Sequence, residues 1–167
     1  MKATIELPES HSKALRILVE KVPPDKILWV LTGSGGLRLQ GVDVAVHDLD
    51  IQSDEPGIYE LARRMARFTK RAPQLMEGER IRSHFGSLLV EGVLVELMGD
   101  IQHRKQDGSW DEPPELLSLK RWVPWKGQLI PVLDLRYEAR AYSLLGRDDK
   151  VKAIRSVLAR PAGGTNA

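Results

Sequence analysis

Asp48 and Asp50 are separated by a single leucine, and the run Val46, His47, Asp48, Leu49, Asp50, Ile51 alternates as an extended strand does. Successive side chains on a strand point to opposite faces, so both aspartates project together while Leu49 and Ile51 turn inward. Two carboxylates so placed make a clamp for a divalent cation. Upstream, the apolar stretch 27–31 reads as a buried strand that breaks at Thr32, Gly33 and Ser34. Small residues there let a polyphosphate approach backbone N–H groups at a helix start, which makes a nucleotide the natural ligand. A third acid stands further on. If 93–98 is a strand, Val93, Val95 and Leu97 share one face, and Leu94, Glu96 and Met98 share the other. An ionised acid between two apolar residues is normally paired, protonated or metal-bound, because burying it alone is costly. The alternative is an edge strand whose Glu96 faces water.

These side chains require elements to hold them. Ser10 is placed to cap a helix with apolar positions Leu15, Leu18, Val19 and Val22, which Pro23 and Pro24 end. The strand 27–31 follows, then one or two helical turns over 34–39 despite Gly35 and Gly36, with Gly41 releasing the chain. Asp54 caps the next helix, where Ile58, Leu61, Ala62, Met65 and Phe68 form an apolar face and Arg63, Arg64, Arg67, Lys70 and Arg71 lie mostly off it. Solvated charge is the default reading of that basic face. A nucleic-acid surface is possible but not favoured, since no exposed aromatics interleave with the arginines.

Residues 88–102 read as a hairpin turning at Glu91 and Gly92, and 103–115 as a polar loop around Asp107 and Gly108. Two extended pieces over 121–132 join at Lys126 and Gly127, with Pro124 and Pro131 confining them to a sheet edge. Trp122 and Trp125 either stack a base or fill the core and its rim. Asp134 starts a helix that Gly146 ends, Val151, Ile154, Val157 and Leu158 mark a last helix, and 161–167 forms a flexible tail. With no internal repeat or linker in view, 1–160 is expected to form one domain with a helical C-terminal part.

Composition narrows the classes. A chain of 167 residues, 42% hydrophobic, can hold its own core. Twenty-five Lys and Arg against 23 Asp and Glu leave a net charge of +2, too little for bulk attachment to nucleic acid or membrane. The absence of cysteine excludes disulfides, thiolate zinc sites and cysteine nucleophiles. His11, His47, His84 and His103 lack metal-ligand spacing, which argues against zinc. The start MKATIELPES has no apolar signal core, and no apolar run approaches the ~20 residues that span a bilayer, so a cytoplasmic location is expected. A P-loop fails because Val42 and Asp43 follow where Lys and Ser or Thr are needed.

Gly33-Ser34, thirteen intervening residues, Asp48-Leu49-Asp50 and the later acid Glu96 together resemble the DNA polymerase beta-like nucleotidyltransferase superfamily. The resemblance is greatest to its small bacterial branch, near the minimal, lincosamide-type and aminoglycoside nucleotidyltransferases, and it runs from about Trp29 to Ile154. It implies an α/β nucleotidyltransferase fold, a short mixed sheet flanked by helices. It also implies transfer of a nucleoside monophosphate from an NTP such as ATP to a hydroxyl, with two Mg2+ ions serving the attacking and departing oxygens. Asp48, Asp50 and Glu96 would be the metal-binding and catalytic acids, with Glu96 also drawing the acceptor proton. Gly33 and Ser34 would cradle the β- and γ-phosphates. Arg82, Arg147 and Lys150 are candidates to neutralise phosphate, with solvated surface charge the equal alternative for each. Two features depart from the pattern: Gly35 and Gly36 interrupt the helix start, and the third acid is Glu rather than the commoner Asp. The other function classes weighed are a non-catalytic nucleotide-binding partner or antitoxin-type module, and an RNA-binding protein using the 63–71 face.

Overall fold

The computed structural model describes residues 6–160, so the expected tail at 161–167 lies outside the described residues. The first helix, α1 (Glu9–Lys21), begins one residue before the expected cap. Pro8 occupies the cap position with φ −53°, no side chain caps the helix, and Ser10 sits inside the first turn. The first strand is shorter than the apolar run, because the N–H groups of Lys26 and Ile27 both donate to the Pro23 carbonyl in a turn. Only Val30–Thr32 remains as β1, followed at once by α2 (Gly33–Leu39). The second strand, β2 (Leu49–Ser53), starts just after Asp48, which stands on a bend rather than within the strand.

Asp54 caps α3 (Glu55–Arg64) as expected, its Oδ1 accepting from Gly57 N at 2.8 Å. That helix does not extend through the basic residues. A 3-10 turn at Ala66–Phe68 ends it, and Lys70 and Arg71 belong to an unexpected strand, β3 (Thr69–Glu77), paired with β4 (Ile81–Val90). Arg63 and Arg64 both bond Glu60, and the basic residues 63–71 do not share a single helix face. β4 turns at Glu91 and Gly92, both left-handed, into β5 (Val93–His103). After a loop and the short α4 (Leu116–Leu119) come β6 (Lys120–Trp125) and β7 (Gln128–Leu133), joined at left-handed Lys126 and Gly127. Asp134 caps α5 (Leu135–Leu144), and α6 (Asp148–Leu158) closes the described chain.

The seven strands form one mixed sheet in the order β3-β4-β5-β2-β1-β7-β6. β1 runs parallel to β7, and β2 parallel to β5, while the other neighbours are antiparallel. β5 is therefore interior, which removes the edge-strand reading of Glu96. β7 is interior too, against expectation. Pro131 is tolerated there because β7 meets β1 only around Leu31 and Val132. Leu31, Ile51 and Leu97 stand side by side on the three central strands, fully buried, and cluster with Leu15 and Leu18 of α1 and Ile58 and Leu61 of α3. That is the main core. Alternation sends the next residues, Thr32, Asp50 and Glu96, to the opposite face. Val30 and Leu133 pack with Tyr137 of α5 on that face, and Leu37 of α2 packs with Ile154 of α6. Among the described residues, no helix is long and apolar enough to cross a membrane.

Candidate active site

Register brings the acids together. Thr32 on β1 faces Asp50 on β2, Asp50 faces Glu96 on β5, and Glu96 faces Ser87 on β4. Hydrogen-bonded strands lie roughly 4.8 Å apart, so Asp50 and Glu96 present neighbouring carboxylates on one face. Asp48 joins them from the bend before β2, close enough for its charge to act on the Glu96 carboxyl. Burial, then the nearby charges of Glu96 and Asp48, push the Asp50 carboxyl up to about 7. Glu96 is raised as well, by burial and by Asp48.

The turn from β1 into α2 is built against this cluster. Gly33 adopts φ +65°, and a Cβ there would lie 2.1 Å from Asp50 Oδ2. No other residue fits the position without displacing the acid. Ser34 is buried, and its Oγ accepts a hydrogen bond from His47 N at 3.1 Å, while the His47 carbonyl is engaged by His11 Nε2. The segment carrying Asp48 is thereby held from both sides. Glu138 reaches in from α5: Thr32 Oγ1 donates to its Oε1 at 2.6 Å and Gly33 N donates to its Oε2 at 3.2 Å. Its burial pushes the carboxyl up to about 8, against the lowering effect of those two donors.

Between the sheet and α5 runs a cleft of about 260 Å³. Gly33, Asp50 and Glu96 lie at one end, and Gln52, Met98, Ile101 and His103 line the rest beneath Tyr142 and Leu145. The chain matches the model of the aminoglycoside-2''-adenylyltransferase family over residues 14–155. It belongs to that family. A candidate nucleotidyltransferase from Thermotoga maritima, solved by crystallography, is 42% identical and superposes with a TM-score of 0.81, covering 92% of this chain and 95% of that one. The lincosamide antibiotic adenylyltransferase LnuA, solved with lincomycin bound, shares the fold at 14% identity and a TM-score of 0.56, over 90% of this chain and 98% of that one. No curated protein matches the chain in sequence. The α/β nucleotidyltransferase fold is thus shown, and nucleotidyltransferase activity is supported by family and fold.

Within this aminoglycoside-2''-adenylyltransferase family member, the three cations singled out from sequence do not line the cleft. Arg82 on β4 donates to Gln102 Oε1 at 3.0 and 2.9 Å and pairs with Glu77. Lys150 lies on α6. Arg147 pairs with Asp149, yet its charge is felt by the cleft residue Tyr142. Neither tryptophan lines the cleft: Trp125 is buried in the main core and Trp122 is exposed on edge strand β6. A second hollow of about 360 Å³ adjoins across His103 and Ala141 but contains none of the three acids.

Sequence reading overlooked Glu138, although a signal existed. Leu135, Glu138, Tyr142 and Leu145 follow helical spacing, so Glu138 occupies the apolar face of its helix just as Glu96 interrupts its strand. Gly33→Ala tests the close approach in this family member. The added methyl meets the Asp50 carboxylate and adopts an unfavourable φ, so we expect a folded but destabilised protein, by on the order of 1–2 kcal/mol, with nucleotide binding lost. Unchanged melting temperature and binding would show that the turn relaxes freely.

Proposed function

We propose that this chain is a magnesium-dependent enzyme that transfers the nucleoside monophosphate of an NTP, ATP in the first instance, to a hydroxyl of a small acceptor. The observation that carries it is the row Thr32, Asp50 and Glu96, with Asp48 beside it, opening on a cleft roofed by α5. The donor set fits a hard cation, since crowded carboxyls with raised proton affinity lose their repulsion when a positive charge stands between them. Among the described residues, no group of three or more His, Asp or Glu side chains is placed to hold a metal ion by itself. Magnesium does not require one, because it commonly takes one or two carboxylates and completes its shell with water and substrate phosphate. When bound, it supplies positive charge to the phosphates as negative charge accumulates on the transferring group.

The chain's own residues then divide the work. Asp48 and Asp50 fix the position of the nucleotide's charged end. Gly33 and Ser34 open α2, whose N-cap Thr32 makes no side-chain cap bond; Gly33 N donates to Glu138, and the following first-turn N–H groups would meet the polyphosphate. Glu96 accepts the proton of the acceptor hydroxyl as that oxygen attacks the α-phosphorus and pyrophosphate leaves. Arg147, near Tyr142, is the cation best placed to meet departing charge. The family description supports a polyhydroxylated acceptor of the aminoglycoside kind. Calorimetry tests the assignment: Asp48→Asn and Asp50→Asn should each weaken Mg-ATP binding by tenfold or more while the fold melts cooperatively. Wild-type affinity in both folded variants would remove the acids from the site.

A further inference from the structure

Two polar side chains in the cleft each bury an atom that has no hydrogen-bond partner. Gln52 is 5% exposed, and its Oε1 is buried with no hydrogen-bond partner. His103 is 3% exposed, and its Nδ1 is likewise without a hydrogen bond, with the Asp111 carboxylate 3.5 Å away. Buried polar atoms are almost always satisfied, and unsatisfied ones at a site mark positions that a ligand completes. The backbone delivers both groups to the cleft. Gln52 follows Asp50 by two residues on β2, so it shares that face about 7 Å further along. His103 reaches the same face only because β5 bulges. His84 pairs with Gly99 but Arg82 pairs with Gln102, so three β5 steps oppose two on β4, and Asp100 at the bulge has φ +48°. That extra residue reverses the alternation and turns Ile101 and His103 toward the side of Glu96 and Met98.

We infer that this part of the cleft is the nucleobase slot and that the Gln52 amide reads the base edge. The inference rests on the nucleotidyl-transfer reading above. Base and phosphate of one nucleotide are separated by about the two-residue step from Asp50 to Gln52. Met98 and Ile101 on the sheet and Tyr142 and Leu145 on the helix side offer apolar contact to the faces of a planar ring. A glutamine amide carries one acceptor beside one donor. That pair complements adenine, whose amino group donates to Oε1 while the neighbouring ring nitrogen accepts from Nε2. With Oε1 as the buried inward atom, guanine and uracil present a carbonyl where it needs a donor, whereas cytosine shares the adenine pattern.

Replacing a buried unsatisfied amide by an apolar side chain of similar size removes a desolvation cost, so a purely recognitive Gln52 predicts an unusual pair of effects. In Gln52→Leu, the ligand-free melting temperature holds or rises, while calorimetry of the full chain with Mg-ATP, Mg-GTP, Mg-CTP and Mg-UTP shows a wild-type preference for ATP, tenfold or greater over GTP and UTP, collapsing toward equality. Gln52→Met serves the same purpose should the branched side chain prevent folding. Retained ATP preference in the variants, or equal wild-type affinity for all four nucleotides, overturns the base-reading role alone. A lowered melting temperature with the preference intact assigns Gln52 to the structure and overturns it equally. A wild-type protein that binds no Mg-NTP overturns the transfer reading itself, an outcome visible before any variant is made.

Discussion

Glu96→Gln is expected to bind Mg-ATP with near wild-type affinity and to transfer the nucleotide on the order of 10²–10⁴-fold more slowly, the span attributed to a positioned general base. The substitution keeps volume and polarity but removes the basic oxygen. Binding survives because Asp50 and Asp48 stand on other segments, β2 and the bend before it, and the introduced amide still fills the place between Ser87 and Asp50. The raised proton affinity of Glu96 suits the task, since a base that holds its proton too weakly gains little by taking one. The loss should fall on kcat and leave the nucleotide KM in place. A variant that turns over at the wild-type rate would leave Glu96 as a spectator of the nucleotide site.

Asp50→Asn is expected to do two opposite things, ending transfer and stabilising the ligand-free fold. In the unfolded chain this carboxyl gives up its proton near 3.8, whereas in the folded protein it keeps it up to about 7. Between those values the folded state binds more protons than the unfolded one, so stability falls as pH rises through this window. The asparagine cannot lose a proton. Melting curves with chelator present should therefore separate with increasing pH, the variant being the more stable by a few kcal/mol at pH 8 and the two converging near pH 4. Glu138, pushed up to about 8 chiefly by burial, acts in the same direction in both proteins and largely cancels in the difference, since the Asp50 charge is the last of the causes of its rise. Parallel pH profiles would mean that Asp50 is not held under charge repulsion.

The three acids were legible because each breaks or joins a local rhythm. Asp48 and Asp50 alternate with Leu49 and Ile51, and Glu96 interrupts an apolar face, so period-two reasoning singled them out, while the family resemblance joined Glu96 to the two aspartates. What it missed depended on partners distant in the chain. Strand β3, with Lys70, Arg71 and Pro73, has no alternating apolar face because it is an outer strand, exposed along most of its length, and pairing with β4 alone makes it a strand. Arg82 looks like a phosphate ligand until Gln102, on the neighbouring strand, takes up its guanidinium. Gln52 carries no signal of its own in the sequence, and only the helix folded over it leaves its Oε1 buried and unpaired. The Asp48 strand ran short for a local reason: His47 just before it bonds the Ser34 and His11 side chains instead of a neighbouring strand.

The link from Glu138 to Thr32 and Gly33 spans 106 and 105 positions of sequence. A ribosome therefore releases Asp48, Asp50 and Glu96 well before it has made the helix that secures the turn beside them. Closing so long a loop is entropically expensive and slow, so the strands can pair early while the phosphate turn stays loose until α5 docks. A nascent or truncated chain ending before residue 134 would carry Asp48, Asp50 and Glu96 but lack the carboxylate that fastens Thr32 and Gly33 beside them.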